Sequence, residues 1–163
     1  MHLNTFKLLL SLITVTIITS CQENEAKLAT LLGTWRTETG PTHEEENSSQ
    51  LYIFNRDGSF NTVTRIVKSD NENEVLGFNY RSEGMFIIKD DQLTLSFNAI
   101  YTSGNALMVT EINDLTFTEE KFVQEMKVSF RDMNSSLELT FPPCAPNENC
   151  VGSMKFYRVA STD

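Results

Sequence analysis

The sequence predicts an all-β domain, built as an antiparallel up-and-down β-barrel of about eight strands. Apolar and polar residues alternate through most of the chain beyond residue 31, and short turn sequences separate the alternating segments. A helical repeat of apolar residues is missing from this part of the chain, and a short helical turn is predicted only before it, at Glu25–Leu32. Short connections favour a meander, and closing the meander into a barrel removes its exposed edges.

The first half of the chain contains four predicted strand segments. Gly33–Glu38 is the first, and LYIF at Leu51–Phe54 is the second. An Asp-Gly pair in NRDGS follows, which is typical of a hairpin turn, and Phe60–Val67 continues as the next strand. The polar segment KSDNENE at 68–74 is predicted as a loop before the strand Phe78–Ile88.

The second half continues the same pattern. KDDQ predicts a turn into a strand with the apolar positions Leu93, Leu95 and Phe97. A Ser-Gly-Asn turn then precedes a further extended segment, whose apolar positions are Leu107, Val109 and Ile112. In FVQEMKVSF, one face holds Phe122, Met126, Val128 and Phe130, and the other holds Val123, Glu125, Lys127 and Ser129. Two last strands carry the apolar positions Leu137, Leu139, Phe141, Met154 and Phe156.

The first twenty residues have the pattern of an export signal. Lys7 precedes an apolar run, Leu8–Ile18, which is shorter than the roughly 20 residues of a membrane-spanning helix. The residues Ile18-Thr19-Ser20-Cys21 resemble the lipobox of bacterial lipoproteins. The alternative is an ordinary secretory leader followed by a chance cysteine.

The lipobox resemblance implies a lipid anchor on the Cys21 thiol and a membrane as partner. Residues 1–20 would be the signal peptide, 21–30 a lipidated polar tether and 31–160 the barrel domain. The acidic residues after Cys21 resemble the surface-export tag of Bacteroidetes-type lipoproteins. Because Gln22 is not the aspartate that retains lipoproteins at the inner membrane of enteric bacteria, we expect the outer membrane of a bacterial cell envelope, at either its periplasmic or its surface face.

The net charge argues against nucleic-acid binding, and the two remaining cysteines predict a disulfide. Without residues 1–20 the chain has 12 basic and 22 acidic side chains, a net charge of −10, so it would repel nucleic acid. In an oxidising compartment, Cys144 and Cys150 of PPCAPNENC predict a disulfide. A metal pair or a redox couple is less well supported, because the spacing is not C-x-x-C and no histidine is near.

A family resemblance comes from LLGTWRTE and MKFYRV. The Gly33-Thr34-Trp35 triplet resembles the first strand of lipocalins, in which a basic residue of the last strand packs across the tryptophan. Arg158 has the same strand parity as Met154 and Phe156, so the resemblance implies that it closes the barrel against Trp35. YIFNRDGSF, GMFIIKDDQLTLSF and LTFTEEKFV are similar to segments of the small lipocalin-like lipoproteins of Bacteroidetes.

Catalytic motifs are not apparent in the sequence. His43 is the single histidine beyond the leader, and neither a P-loop nor a G-x-G-x-x-G motif occurs. The acidic residues 44–46, and Asp70, Glu72 and Glu74, lack the spacing of a calcium loop and are interpreted as solvated. We therefore expect no catalytic residue, no metal, no cofactor and no enzymatic activity.

Binding is the function that remains. Four aromatic residues are candidates for lining an apolar cavity around a small hydrophobic ligand: Phe78, Tyr80, Phe86 and Phe97. The alternative is a filled barrel whose loops, around 43–49 and 68–74, contact a protein or glycan partner. The sequence does not distinguish the two, and it leaves the oligomeric state open.

Overall fold

The computed structural model describes residues 24–37, 40–43, 45–118, 121–143 and 151–160. Residues 24–31 are helical, and two 3₁₀ turns lie at Ile112–Asp114 and Asp132–Asn134. The strands are β1 (Gly33–Thr37), β2 (Gly40–His43), β3 (Glu46–Phe54), β4 (Ser59–Lys68), β5 (Asn71–Lys89), β6 (Gln92–Thr102), β7 (Thr116–Thr118), β8 (Phe122–Arg131), β9 (Ser136–Thr140) and β10 (Ser153–Arg158).

Eight of these strands form a closed antiparallel ring. The order around the ring is β1, β3, β4, β5, β6, β8, β9 and β10, and β1 then pairs with β10 as well as with β3. Two short strands of the described chain extend this ring. β2 pairs with the part of β3 that β1 leaves free, and β7 pairs with the part of β6 that β8 leaves free. Ring neighbours are successive along the chain, apart from these two short additions. The predicted all-β, up-and-down fold of about eight strands is confirmed.

The core fills the end of the barrel at which the chain enters β1, here named the closed end. Trp35 and Leu31 are fully buried there, and Leu31 brings the helical segment onto the core. The Asp90 amide donates to Asn24 Oδ1 at 2.8 Å, which holds residue 24 at the β5–β6 turn. The helical segment therefore covers the closed end.

A glycine in β5 makes room for the aromatic core. Asn98 is an extra residue of β6, because Glu83 pairs with Ala99 and Gly84 pairs with Phe97. A Cβ atom on Gly84 would lie 2.0 Å from the Ser96 carbonyl oxygen and 2.8 Å from Phe60 Cε1. A glycine is therefore needed at position 84 for β5 and β6 to approach each other over the Phe60 ring.

Two segments differ from their predicted loop structure. The prediction of a loop at 68–74 is wrong, since β4 continues to Lys68 and β5 begins at Asn71 after a two-residue turn. His43, expected in an acidic loop, ends β2 and pairs with Glu46. In both places the backbone hydrogen bonds between paired strands outweigh the polar character of the side chains, several of which at 68–74 remain in contact with solvent.

Some predictions concern residues outside the described ranges. They are the signal peptide at 1–20, the anchor at Cys21, and the disulfide between Cys144 and Cys150. Among the residues that the structure describes, no helix has the length and apolar character needed to span a membrane.

Candidate binding site

The interior of the barrel changes from apolar to polar along its axis. Cross-strand pairs arrange the inward side chains in three rows, each with one member from β3, β4, β5 and β6 and one from β8 or β7. We name them the phenylalanine floor, the hydroxyl belt and the polar rim. The floor is Phe54, Phe60, Gly84, Phe97 and Phe122; the belt is Tyr52, Thr62, Ser82, Ile100 and Thr118; the rim is Gln50, Thr64, Tyr80, Thr102 and Thr116.

The floor is tightly packed. The rings of Phe60 and Phe97 meet edge to face at 5.1 Å, and the rings of Phe97 and Phe122 stack at 4.1 Å. Phe54, Phe60 and Phe97 are all buried, whereas Phe122 remains 41% exposed. The floor therefore closes the lower half of the barrel and leaves one accessible aromatic ring at its edge.

The belt places hydroxyl groups directly above this floor. The Thr62 and Ser82 hydroxyl oxygens are 2.6 Å apart, and both side chains are buried. Burial raises the pKa of Tyr52 to about 12, and the nearby phenol of Tyr80 adds to the shift. The Tyr52 hydroxyl is therefore protonated at neutral pH and available as a hydrogen-bond donor.

The rim shows that this end of the barrel is open to solvent. Alternation along the strands points its side chains inward, as in the rows below. Four of them are nevertheless only half-buried: Gln50, Thr64, Tyr80 and Thr102. Inward side chains that solvent reaches define a mouth lined by amide, hydroxyl and phenol groups.

The four predicted lining residues lie in different places. Phe97 belongs to the floor, and Phe86 packs beneath it with its ring 5.1 Å from that of Phe54. Tyr80 belongs to the rim. Phe78 pairs with Arg65, the neighbour of Thr64, so the register places it on the opposite face of the sheet from Tyr80. The structure thus brings Tyr80 and Phe97 to the same interior and places Phe78 outside it.

The closed end holds Trp35 and Arg158 together. They are direct partners in the β1–β10 ladder, and the guanidinium carbon lies 4.2 Å from the centre of the indole ring. Trp35 Nε1 donates to the Leu31 carbonyl at 2.7 Å, and Arg158 donates to the carbonyls of Leu32 and Thr30. This cluster joins both terminal strands to the helical segment, so its geometry points to a structural role.

Clefts also lie outside the barrel. A cleft of about 320 Å³ separates the helical segment from the β3–β4 and β5–β6 hairpins, with Leu28, Arg56 and Ile87 in its lining. The donors and acceptors of the belt and rim, by contrast, all point toward the interior of the ring, and a few convergent polar groups above an apolar surface are typical of a small-molecule site. We therefore assign the candidate site to the mouth.

Sequence reasoning missed the belt. Its signal was the pair of inward polar residues Thr62 and Thr64, which follow Phe60 on the same face of β4, where a filled apolar core would carry aliphatic side chains. Among the described residues, no group of three or more histidine, cysteine, aspartate or glutamate side chains could hold a metal ion. His43 lies at the end of β2, apart from the belt.

No protein-family model matches the chain, and none of the curated proteins matches it either.

Proposed function

We propose that the protein is a non-enzymatic, lipid-anchored binding protein of a bacterial cell envelope, which holds a small ligand in the mouth of a lipocalin-like barrel. The observation that carries the proposal is the gradient from the phenylalanine floor through the hydroxyl belt to the solvent-reached rim. A barrel that serves only as a scaffold needs no such gradient, because apolar side chains could fill both halves.

The ligand is amphipathic rather than wholly apolar. Its apolar part would rest on the exposed ring of Phe122, next to the stacked Phe97. Its polar part would bond to groups such as Tyr52 and Tyr80. A fully apolar ligand would strip water from these hydroxyls and return no hydrogen bond, at a cost of about 1–3 kcal/mol for each group left unpaired.

The anchor gives the mouth a direction. Cys21 precedes Asn24 by three residues, which span about 11 Å at most. Asn24 is bound to the β5–β6 turn at the closed end. A lipid on Cys21 would therefore hold the closed end against the membrane and turn the rim away from it, toward ligand in solution. If Cys21→Ser still fractionates with membranes, the anchor part of the proposal fails.

A blocked mouth tests the binding part. Thr64→Trp places an indole in the rim, whereas Val63→Trp puts the same indole on the other face of β4. With cis-parinaric acid as a fluorescent amphipathic probe, we expect saturable binding to the wild type and to Val63→Trp. We expect affinity at least about tenfold weaker for Thr64→Trp, a loss of about 1.4 kcal/mol.

The same experiment distinguishes ligand binding in the mouth from the alternative function, in which surface segments contact a partner. If the three proteins bind the probe equally, or not at all, the mouth is not a ligand site. The filled-barrel alternative, in which surface segments contact a protein or glycan partner, would then be favoured. The segments expected as loops for that role are hairpin strands, so the contact would use the β2–β3 and β4–β5 hairpins.

A further inference from the structure

A group of buried polar atoms without partners lies on β3, β4 and β5. In the described part of the chain, three buried side-chain atoms have no hydrogen-bond partner: Ser49 Oγ, Arg65 Nε and Asn79 Oδ1. Ser49 and Arg65 are direct partners across β3 and β4. Asn79 is the extra residue of a bulge in β5, between the residues that pair with Thr64 and with Arg65. The three atoms therefore come from neighbouring positions on three adjacent strands.

Arg65 lies in a small group of charges. Arg36 forms an ion pair with Glu72 at 3.2 Å. Partial burial lowers the pKa of Arg65, as does the charge of Arg36, while Glu72 acts in the opposite direction. The described charges that act on Arg65 are thus one guanidinium, that of Arg36, and one carboxylate, that of Glu72. We name Arg36, Ser49, Arg65 and Glu72 the arginine recess.

Unsatisfied groups of this kind are rare in folded proteins. A buried donor without an acceptor costs about 1–3 kcal/mol, and more when the group is charged. Arg65 and Ser49 offer two donors on the same face of the sheet, and an arginine fork matches the planar oxygens of a carboxylate.

From this arrangement we propose that the arginine recess binds the carboxylate of a small organic acid. The site is separate from the mouth, because Ser49 and Arg65 face away from Gln50 and Thr64. The proposal names a carboxylate because its two coplanar oxygens match the planar arginine fork. The proposal does not depend on the ligand of the mouth or on the anchor.

The test is an NMR titration that observes the Nε–H resonance of Arg65. Sodium acetate is the probe, at constant ionic strength set with sodium chloride. We expect a saturable shift, about tenfold weaker binding in Arg65→Lys, which loses the fork, and about fivefold weaker binding in Ser49→Ala. For Arg65→Lys, backbone amide shifts of β3 and β4 report binding. The control is Arg81→Lys, since Arg81 already pairs with Glu83 at 3.0 Å and its loss should leave acetate binding unchanged.

Three outcomes would overturn the proposal. They are an Arg65 resonance that acetate does not move, a shift that chloride alone reproduces, and inorganic phosphate binding more tightly than acetate. If Arg65→Lys does not fold, as judged by its amide spectrum, Ser49→Ala decides the matter. If Ser49→Ala then bound acetate with the same affinity as the wild type, the proposed binding at the arginine recess would be wrong.

Discussion

Arg158 and Trp35 face each other across the seam that closes the barrel, with the guanidinium carbon 4.2 Å from the ring centre. The same guanidinium donates to the Leu32 carbonyl at 3.0 Å and to the Asn134 carbonyl at 3.4 Å. One side chain thus joins the last strand to the first strand, to the segment before it and to the β8–β9 turn. We infer that this contact stabilises the closed ring.

Replacing Arg158 should destabilise the protein without changing its fold. Arg158→Lys keeps the charge but loses the planar fork, so we expect the free energy of unfolding to fall by about 1–2 kcal/mol in urea. A double-mutant cycle with Trp35→Phe should give a coupling energy of about 0.5–2 kcal/mol. The control is Arg131→Lys, an exposed residue 3.9 Å from Glu138, for which we expect almost no change. Zero coupling between the two positions would show that the stacking does not stabilise the seam.

Local patterns predicted much of this fold. The Asp-Gly pair predicted the β3–β4 turn, where Gly58 has a φ of 82° that glycine adopts without strain. Alternation predicted the two faces of β8, where Met126 and Val128 are buried and Val123 is 62% exposed. These features depend on neighbouring residues alone, so they can be read from the sequence.

The interior could not be predicted by counting alternate residues. Phe78 and Tyr80 have the same parity in the sequence, yet the bulge at Asn79 places them on opposite faces of the sheet. The bulge at Asn98 likewise makes Ile100, and not Ala99, the inward partner of Ser82. Bulges depend on how two distant strands fit together, which no single segment of sequence specifies.

Gly84→Ala should be among the most damaging small substitutions in the chain. The added methyl group would lie within 2.0 Å of the Ser96 carbonyl oxygen, so the β5–β6 pair must separate. We expect a loss of about 3 kcal/mol in unfolding free energy, measured by urea denaturation. Gly152→Ala is the matched control, because no atom lies within 4 Å of its added methyl. Equal stabilities of the two variants would refute the tight approach of β5 and β6.

Alkaline pH should destabilise the protein through Tyr52. The folded state holds the Tyr52 proton up to a pKa of about 12, and the unfolded chain releases it near 10.0. The protonated Tyr52 phenol therefore adds about 2–3 kcal/mol to the free energy of unfolding below pH 10, and this stabilisation is lost as the pH rises through 12. Unfolding free energies between these pH values should therefore fall more steeply for the wild type than for Tyr52→Phe. Parallel curves would mean that the phenol is not buried as described.

The predicted disulfide can be tested independently of the described ranges. Digestion without reductant by a protease that cleaves after Glu148 should leave Cys144 and Cys150 in two peptides that remain joined by a disulfide. Closing so short a loop restricts the unfolded chain, so the double variant Cys144→Ser, Cys150→Ser should lose about 2 kcal/mol of unfolding free energy. Two free thiols in protein purified from an oxidising compartment would exclude the bridge.

The most direct test of the mouth as a ligand site is native mass spectrometry of the protein purified from its own host. We predict that the wild type and Val63→Trp carry the same additional small-molecule mass, and that Thr64→Trp, with its rim blocked, does not. A wild-type protein that is empty in repeated preparations, or a Thr64→Trp variant that carries the same molecule, would contradict the account.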